Sequence, residues 1–282
     1  SPRMLVELAE AFTAFETDAE AWVGLLYAEG KNFTAGLELD KVAPVMRERG
    51  ALTPLGLVDP LSLHPPIRSK PLVCAVQGMC TAGAFYFLNE ADVVICSQDA
   101  TFFDSHVSTG LVCALEPIGL MRKVGLAQTL RIALMGNDER VSAETAHQIG
   151  LVTEVVTADE LWTRAHEIAA TIAAKPPSAT QGTVKAIWES LDRPYRAAME
   201  QGLIYTRLGN PLGQAELAAS RADGAPVKTE ASFTPEQMAQ FLRGIEGTPP
   251  GNVTTIVATG QWFVPMRHPG ATPPYDLRGW HA

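Results

Sequence analysis

The spacing of apolar residues in the first half of the chain predicts helices that alternate with short buried strands. In residues 3–17, apolar side chains recur every three or four positions, which is the spacing of one helix face. Short continuous apolar runs, which predict buried strands, lie at 21–28, 71–77, 91–97 and 151–156. Helical stretches lie near 116–134 and 142–149, and Ser142 is a typical N-cap for the second. This alternation predicts an α/β fold around a buried, largely parallel sheet.

The second half of the chain predicts helices without strands. Helical spacing continues through 158–173, 178–191 and 194–220. We therefore divide the chain into a core at 1–157, a helical C-terminal module at 158–222 and an extension at 223–282. A helical module of this kind often packs against a neighbouring subunit, and we expect that role here.

The extension at 223–282 is rich in proline and glycine, as in GTPPGN and HPGATPPYDLRGW. Thr234, Pro235 and Glu236 match the N-cap, the first helical position and the first-turn acid of a helix at about 234–245. We expect the rest to be an extended arm whose apolar patches cover a subunit surface or the pocket.

Charge and cysteine content narrow the classes of partner. The net charge is −9 over 282 residues. Nucleic-acid binding needs clustered lysine and arginine side chains, so we do not expect nucleic acid as a partner. The chain has no basic run that would hold an anionic membrane and no apolar stretch of about 18 residues. Cys74, Cys80, Cys96 and Cys113 form no CxxC pair and have no histidine at zinc spacing. We expect reduced core thiols in a cytoplasmic protein without a metal site.

Two glycine-containing loops follow predicted strands and are candidates for holding a developing negative charge. The first, EGKNFTAGLEL, spans 29–39, and the second, AVQGMCTAGAFYF, spans 75–87. The second leads into a helix, whose N-terminus presents unpaired N–H groups and the positive end of the helix dipole. One N–H from each loop would form an oxyanion hole. Each loop alone also fits an ordinary tight turn, and neither contains a dinucleotide fingerprint or a P-loop.

Five separated blocks resemble the crotonase superfamily of enoyl-CoA hydratases and isomerases. In chain order the blocks are FTAG at 33–36, AVQGMCTAGA at 75–84, an Ala-Asp pair at 91–92, TFFDSHVSTGLV at 101–112 and SAETAHQIGLVTEVV at 142–156. The resemblance covers roughly residues 1–220. It implies a crotonase-like spiral of ββα units with a helical C-terminal module, which agrees with the α/β pattern.

The resemblance also implies a substrate and an assembly. The substrate would be an acyl-CoA thioester of fatty acid metabolism, with coenzyme A as part of the substrate and no separate cofactor. The assembly would be a homotrimer or a hexamer made of two trimers. The two oxyanion N–H groups would belong to Ala35 and Gly83. The family usually has a β-hairpin before the helix that SPRMLVELAEAF resembles, so we expect that hairpin, with its CoA contacts, to precede this sequence in a longer protein.

Two positions depart from the pattern of the family's hydratases. One hydratase glutamate lies three residues after the oxyanion glycine, where this chain has Tyr86, and the other lies where this chain has His106. Hydration by two glutamates is therefore not expected. Histidine suits a general base near neutral pH, and Glu116 would orient His106 as acids do in other His–acid pairs.

Each of these candidates also has an ordinary structural interpretation. His106 would be a satisfied structural histidine, Glu116 a first-turn helix acid and Tyr86 a packing residue. Asp104 and Ser105 flank His106 and are the alternative orienting partners.

Three functions remain open at this point. The first is hydratase- or isomerase-type chemistry on an acyl-CoA through an enolate held by Ala35 and Gly83, with His106 as the base. The second is hydrolysis of a C–C bond in a β-diketone, for which His106 and Glu116 would activate water and CoA is not needed. The third is a non-catalytic acyl-CoA binder that keeps the oxyanion loops but has lost the acid/base pair. We favour the first because both oxyanion blocks are intact.

Overall fold

The computed structural model describes residues 1–63 and 68–223, which divide into two compact units. The first unit is Ser1–Lys175, and the second begins at Pro176. The strands are β1 Gly24–Leu26, β2 Leu72–Val76, β3 Met79–Thr81, β4 Val93–Ser97, β5 Thr101–Phe103, β6 Val141–Ser142 and β7 Glu154–Val156. The helices of the first unit are α1 Pro2–Thr17, α2 Leu39–Arg49, α3 Ala84–Glu90, α4 Leu115–Val124, α5 Leu126–Met135, α6 Ala143–Gln148 and α7 Leu161–Ala173. The second unit contains α8 Pro177–Ser190 and α9 Tyr195–Asp223.

A four-stranded parallel sheet, in the order β1-β2-β4-β7, forms the centre of the first unit. Strand β2 is buried along its whole length, because the sheet is covered on both faces. Cys74 on one face belongs to the main hydrophobic core, while Ala75 on the other packs with Leu161 and Ala165 of α7. The predicted buried parallel sheet is therefore confirmed.

A second, smaller sheet has the order β3-β5-β6. Strands β3 and β5 are parallel, whereas β5 and β6 are antiparallel. The chain passes from β2 to β3 to α3, and again from β4 to β5 to α4, so that each central strand is followed by a short strand and a helix. This is the ββα unit that the resemblance implied.

The helices agree with the apolar spacing except in four places. The stretch predicted at 116–134 is two helices, α4 and α5, which meet at Gly125. Helix α2 was not predicted, since it is polar and contains Pro44. Short 3-10 helices at Val107–Thr109 and Gly136–Asp138 were not predicted either. Ser142 caps α6 as expected, because its hydroxyl accepts a hydrogen bond from the Thr145 N–H at 3.2 Å.

The boundary between the units differs from the expected one at residue 158. Helix α7 packs on β1, β2 and β4, and the first unit therefore extends to Lys175. In the second unit, α8 and α9 pack together, and buried Glu189 accepts a hydrogen bond from the Tyr205 hydroxyl at 2.7 Å. The helix expected at 234–245, like the rest of the extension beyond Asp223, lies outside the described residues. No helix in the described part of the chain combines the length and the apolar character that a membrane span requires.

Candidate active site

Two loops, one after β1 and one after β2, run side by side and are joined by backbone hydrogen bonds. The Phe33 N–H donates to the Gln77 carbonyl at 2.9 Å, and the Thr34 N–H donates to the Met79 carbonyl at 3.1 Å. The Thr81 N–H donates in return to the Thr34 carbonyl at 3.3 Å. The backbone of the first loop is therefore fixed relative to β3.

This pairing brings the segments that contain Ala35 and Gly83 into contact. A Cβ built on Gly36 would lie 3.4 Å from the Ala82 Cβ, and a Cβ built on Gly83 would lie 3.7 Å from Leu37 Cγ. Gly83 is the N-cap of α3, so its N–H precedes the helical hydrogen-bond ladder. Within the described residues, neither the Ala35 N–H nor the Gly83 N–H donates a hydrogen bond. Two free donors thus lie in adjacent loops of the described chain, and their role as an oxyanion pair stays a prediction.

A cavity of about 410 Å³ opens at these loops. Its volume is within the range typical of small-molecule sites, and its lining is mainly apolar. The lining includes Leu5 and Leu8 of α1 with Phe33, Gly36, Gly83 and Phe87. The contribution of α1 was not predicted, although the apolar face of that helix is plain in the sequence.

His106 follows β5 and lies between two carboxylates. Its Nδ1 is 2.8 Å from Asp104 Oδ1, which also accepts a hydrogen bond from the His106 N–H at 2.9 Å. Its Nε2 is 3.7 Å from Glu116 Oε1. Asp104 is only 3% exposed, whereas His106 is 22% exposed. The partner that orients the imidazole is therefore Asp104 and not Glu116, because only Asp104 is within hydrogen-bonding distance of the ring.

Helix α3 connects the oxyanion loop to this histidine. Gly83 begins the helix, Tyr86 lies in its first turn, and Asn89 near its end donates to the Glu116 carbonyl at 2.8 Å. Burial, and then the neighbouring Glu116 carboxylate, raise the pKa of Tyr86 to about 12. Tyr86 therefore remains a neutral phenol near pH 7, suited to donating a hydrogen bond and not to acting as a base. Glu116 lies in the first turn of α4, which matches its structural interpretation as well.

The cysteines fall into two groups. Cys74, Cys80 and Cys96 are free and buried, as predicted for core thiols. Cys113 is only partly buried and lies near Asp104, so the prediction of a core position is wrong for this residue. Partial burial, and then the Asp104 carboxylate, raise the pKa of the Cys113 thiol. The proximity of Cys113 to Asp104 could not be predicted from a sequence motif, because it depends on the tertiary structure of the loop that carries Cys113.

Comparison with known proteins decides the family. Residues 1–206 match the model of the family described as enoyl-CoA hydratase/isomerase. The chain belongs to this family. A mevalonyl-coenzyme A hydratase of Aspergillus fumigatus is 29% identical over 201 residues, covering 69% of this chain and 73% of the relative. A methyl-dioxo-hexahydro-indene-carboxyl-CoA hydrolase of Mycobacterium tuberculosis is 28% identical over 210 residues, covering 71% of this chain and 80% of the relative.

The fold of the family is confirmed by solved structures. A probable enoyl-CoA hydratase/isomerase from Mycobacterium abscessus aligns with a TM-score of 0.72 at 30% identity, covering 82% of this chain and 90% of that one. The crotonase-type fold and the family resemblance are thus established. The chain is an acyl-CoA-acting enzyme of the enoyl-CoA hydratase/isomerase type.

Proposed function

We propose that the protein transforms an acyl-CoA thioester through an enolate, with the N–H groups of Ala35 and Gly83 as the oxyanion hole and His106 as the general base. The observation that carries the proposal is the contact between the two loops, which leaves two free N–H groups beside a largely apolar cavity. Enolate formation concentrates negative charge on the thioester oxygen. One preorganised donor at such a position is worth about 3 kcal/mol of barrier lowering.

Each side chain around the base receives a distinct role. Nε2 of His106 accepts a proton from the substrate carbon or from water, while Asp104 beside Nδ1 fixes the tautomer and stabilises the imidazolium that forms. Glu116, 3.7 Å from Nε2, stabilises the same cation. Tyr86 occupies the place of a hydratase glutamate, but as a neutral phenol it donates its hydrogen to the Glu116 carboxylate and helps to hold that group beside His106.

A second candidate is hydrolysis of a C–C bond in a β-diketone. It is favoured by the position of His106 between two carboxylates, an arrangement that suits the activation of water. One relative in the family is itself named as a hydrolase of a dioxo carboxyl-CoA. Both candidates use His106, so they are separated by the substrate and not by the base.

We also propose that the protein works as a homotrimer, or a hexamer of two trimers, in the cytoplasm. Leu126, Leu130 and Leu134 lie one turn apart on α5 and are 60%, 47% and 68% exposed. A face of this kind supports contact with a second copy of the chain. Light scattering coupled to gel filtration would return the mass of a single chain if this expectation is wrong.

The test of the enolate is exchange of the α-protons of butyryl-CoA with solvent deuterium, followed by mass spectrometry. Exchange reports removal of a proton next to the thioester, whichever reaction follows. His106→Ala should reduce the exchange rate about 10²- to 10⁴-fold. His166→Ala is the matched control, because His166 is exposed on α7 and lies outside the cluster formed by Asp104, His106 and Glu116.

A pair of variants tests the oxyanion hole itself. Gly83 has φ −56°, which proline can adopt. Gly83→Pro removes the N–H and should slow exchange about 10²- to 10³-fold. Gly83→Ala keeps the N–H and adds a Cβ 3.7 Å from Leu37, an ordinary contact, so it should exchange nearly as fast as the wild type.

Three outcomes would overturn the proposal. Full exchange by His106→Ala would remove the base. Binding of butyryl-CoA and crotonyl-CoA with neither exchange nor loss of the enoyl absorbance would indicate a non-catalytic binder. Turnover of a cyclic β-diketone without affinity for any CoA thioester would establish the C–C hydrolase.

A further inference from the structure

Three side chains with metal-ligating atoms converge at the proposed base. Asp104, His106 and Cys113 each offer one such atom, and these atoms all lie within 4.8 Å of one another. A carboxylate, an imidazole and a thiol together form a donor set that Zn²⁺ accepts in proteins. Two of them lie beside β5, and the third comes from the loop before α4.

An independent feature of Asp104 points to a cation. Its side chain is 3% exposed, and its second oxygen, Oδ2, is buried and has no hydrogen-bond partner in the described part of the chain. A buried carboxylate oxygen without a partner loses hydration without compensation. Since the first oxygen is already engaged by His106, Oδ2 is free to coordinate.

We infer that Asp104, His106 and Cys113 form a binding site for a zinc-class divalent cation. Ligands at the usual Zn²⁺ distances stand about 3.3–3.6 Å apart around a tetrahedral ion, whereas these atoms lie within 4.8 Å of one another, so no pair must close by more than about 1.5 Å. The loop that carries Cys113 can supply this movement, because the preceding Leu111 and Val112 are 45% and 89% exposed and bury little apolar surface.

The proton balance of binding is simple. Nδ1 of His106, now 2.8 Å from Asp104 Oδ1, must give up its proton to bind the cation, while Asp104 binds through Oδ2. Cys113 binds as the thiolate, and its thiol proton leaves to solvent. The single ring proton of the neutral imidazole thereby shifts from Nδ1 to Nε2, facing Glu116.

This placement makes the cation an inhibitor of the proposed enzyme. An Nε2 that carries a proton cannot accept another from the substrate, so the occupied site switches off the general base. The inhibitory effect rests on the proposed function, whereas the binding itself does not. Three protein ligands also leave a fourth position for water or a substrate group.

The binding test uses the full chain, freed of metal with a chelator and titrated with Zn²⁺ alone against a chromogenic chelator. We expect one ion per chain, and with Co²⁺ as a probe a thiolate-to-metal charge-transfer absorption. Cys113→Ala should weaken Zn²⁺ binding at least about 10-fold and abolish that absorption. His166→Ala should bind as the wild type does. Wild-type protein that takes up no Zn²⁺, or Cys113→Ala with unchanged affinity, would overturn the site.

The inhibition test repeats the α-proton exchange with and without Zn²⁺. The ion should slow wild-type exchange at least about 10-fold, whereas the rate of Cys113→Ala should not respond at the same concentration. Exchange that depends on His106 but ignores Zn²⁺ would refute this inference and leave the proposed function standing. Stoichiometric Zn²⁺ uptake without any exchange would refute the proposed function and leave the site standing.

Discussion

Replacement of Gly78 by alanine should displace the loop that carries Ala35. Gly78 has φ +55°, and a Cβ built on it would lie 2.2 Å from the Lys31 carbonyl oxygen and 2.8 Å from Asn32 Oδ1. Since carbon and oxygen atoms in close non-bonded contact remain about 3.3 Å apart, the backbone at Lys31 must move by about 1 Å. The hydrogen bond from the Met79 N–H to Asn32 Oδ1, now 2.9 Å, would be lost in that movement.

Both stability and catalysis should respond to this shift. An alanine at positive φ costs about 1–2 kcal/mol, and the lost hydrogen bond about 1 kcal/mol more, so the free energy of unfolding should fall by about 2–3 kcal/mol. A displacement of about 1 Å at the oxyanion hole should slow α-proton exchange about 10²-fold. Urea denaturation and the exchange assay measure the two effects.

A matched variant separates backbone strain from steric clash. Gly30 lies in the same loop with φ +90°, but a Cβ there would meet no atom within 4 Å. Gly30→Ala should therefore lose stability through strain alone and exchange at the wild-type rate. Equal exchange rates for Gly78→Ala and Gly30→Ala would refute the argument that the close approach of Gly78 to Lys31 fixes the oxyanion loop.

Two further predictions concern stability. Arg68 is 2% exposed and pairs with Asp92 at 2.7 Å, so Arg68→Met should lower the free energy of unfolding by about 3–5 kcal/mol because it removes the buried member of this ion pair. A loss below about 1 kcal/mol in urea denaturation would contradict this. The second prediction concerns Cys74, because burial raises the pKa of its thiol to about 12. The stability that the protonated thiol contributes is therefore fully present below the ordinary thiol pKa near 9. Above that pH, the free energy of unfolding falls by about 1.4 kcal/mol per pH unit until the folded pKa is reached. Between pH 8 and pH 10, the free energy of unfolding should therefore fall less for Cys74→Ala than for the wild type. Urea denaturation at both pH values that gives the same decrease for the two proteins would show that the thiol is not responsible.

The sequence predicted well those elements whose apolar residues form a simple pattern, either a helical period or a continuous run. Helix α1 has a single apolar face, and β2 is apolar throughout because both of its faces are covered. Strands β3 and β5 escaped prediction because, unlike the three-residue strands β1 and β7, they do not lie within a longer apolar run. Their pairing depends on contacts between distant parts of the chain, which no local pattern encodes.

The parts of the candidate site formed by backbone in recognisable loops could be predicted from the sequence. The side-chain contacts that depend on tertiary packing were harder to predict. The adjacency of the loops that carry Ala35 and Gly83 could be predicted because both loops contain small residues beside glycine after a buried strand. The grouping of His106 with Glu116 was expected, yet the acid within hydrogen-bonding distance of the ring is Asp104, because a side chain two residues away can fold back onto the ring. The position of Cys113 beside Asp104 and His106 depends on the conformation of the loop before α4, which no local sequence pattern specifies.

Helix α3 has a consequence for how chemistry can change within this family. In the proposed mechanism the group that holds the charge, at the start of this helix, is a backbone N–H, whereas the groups proposed to handle protons, Tyr86 on the helix and His106 after β5, are side chains. Any substitution other than proline leaves the backbone N–H in place, so the residues proposed to handle protons can change while the two N–H groups remain available to the substrate. Single substitutions can in this way change the reaction while the backbone that would stabilise the enolate is retained.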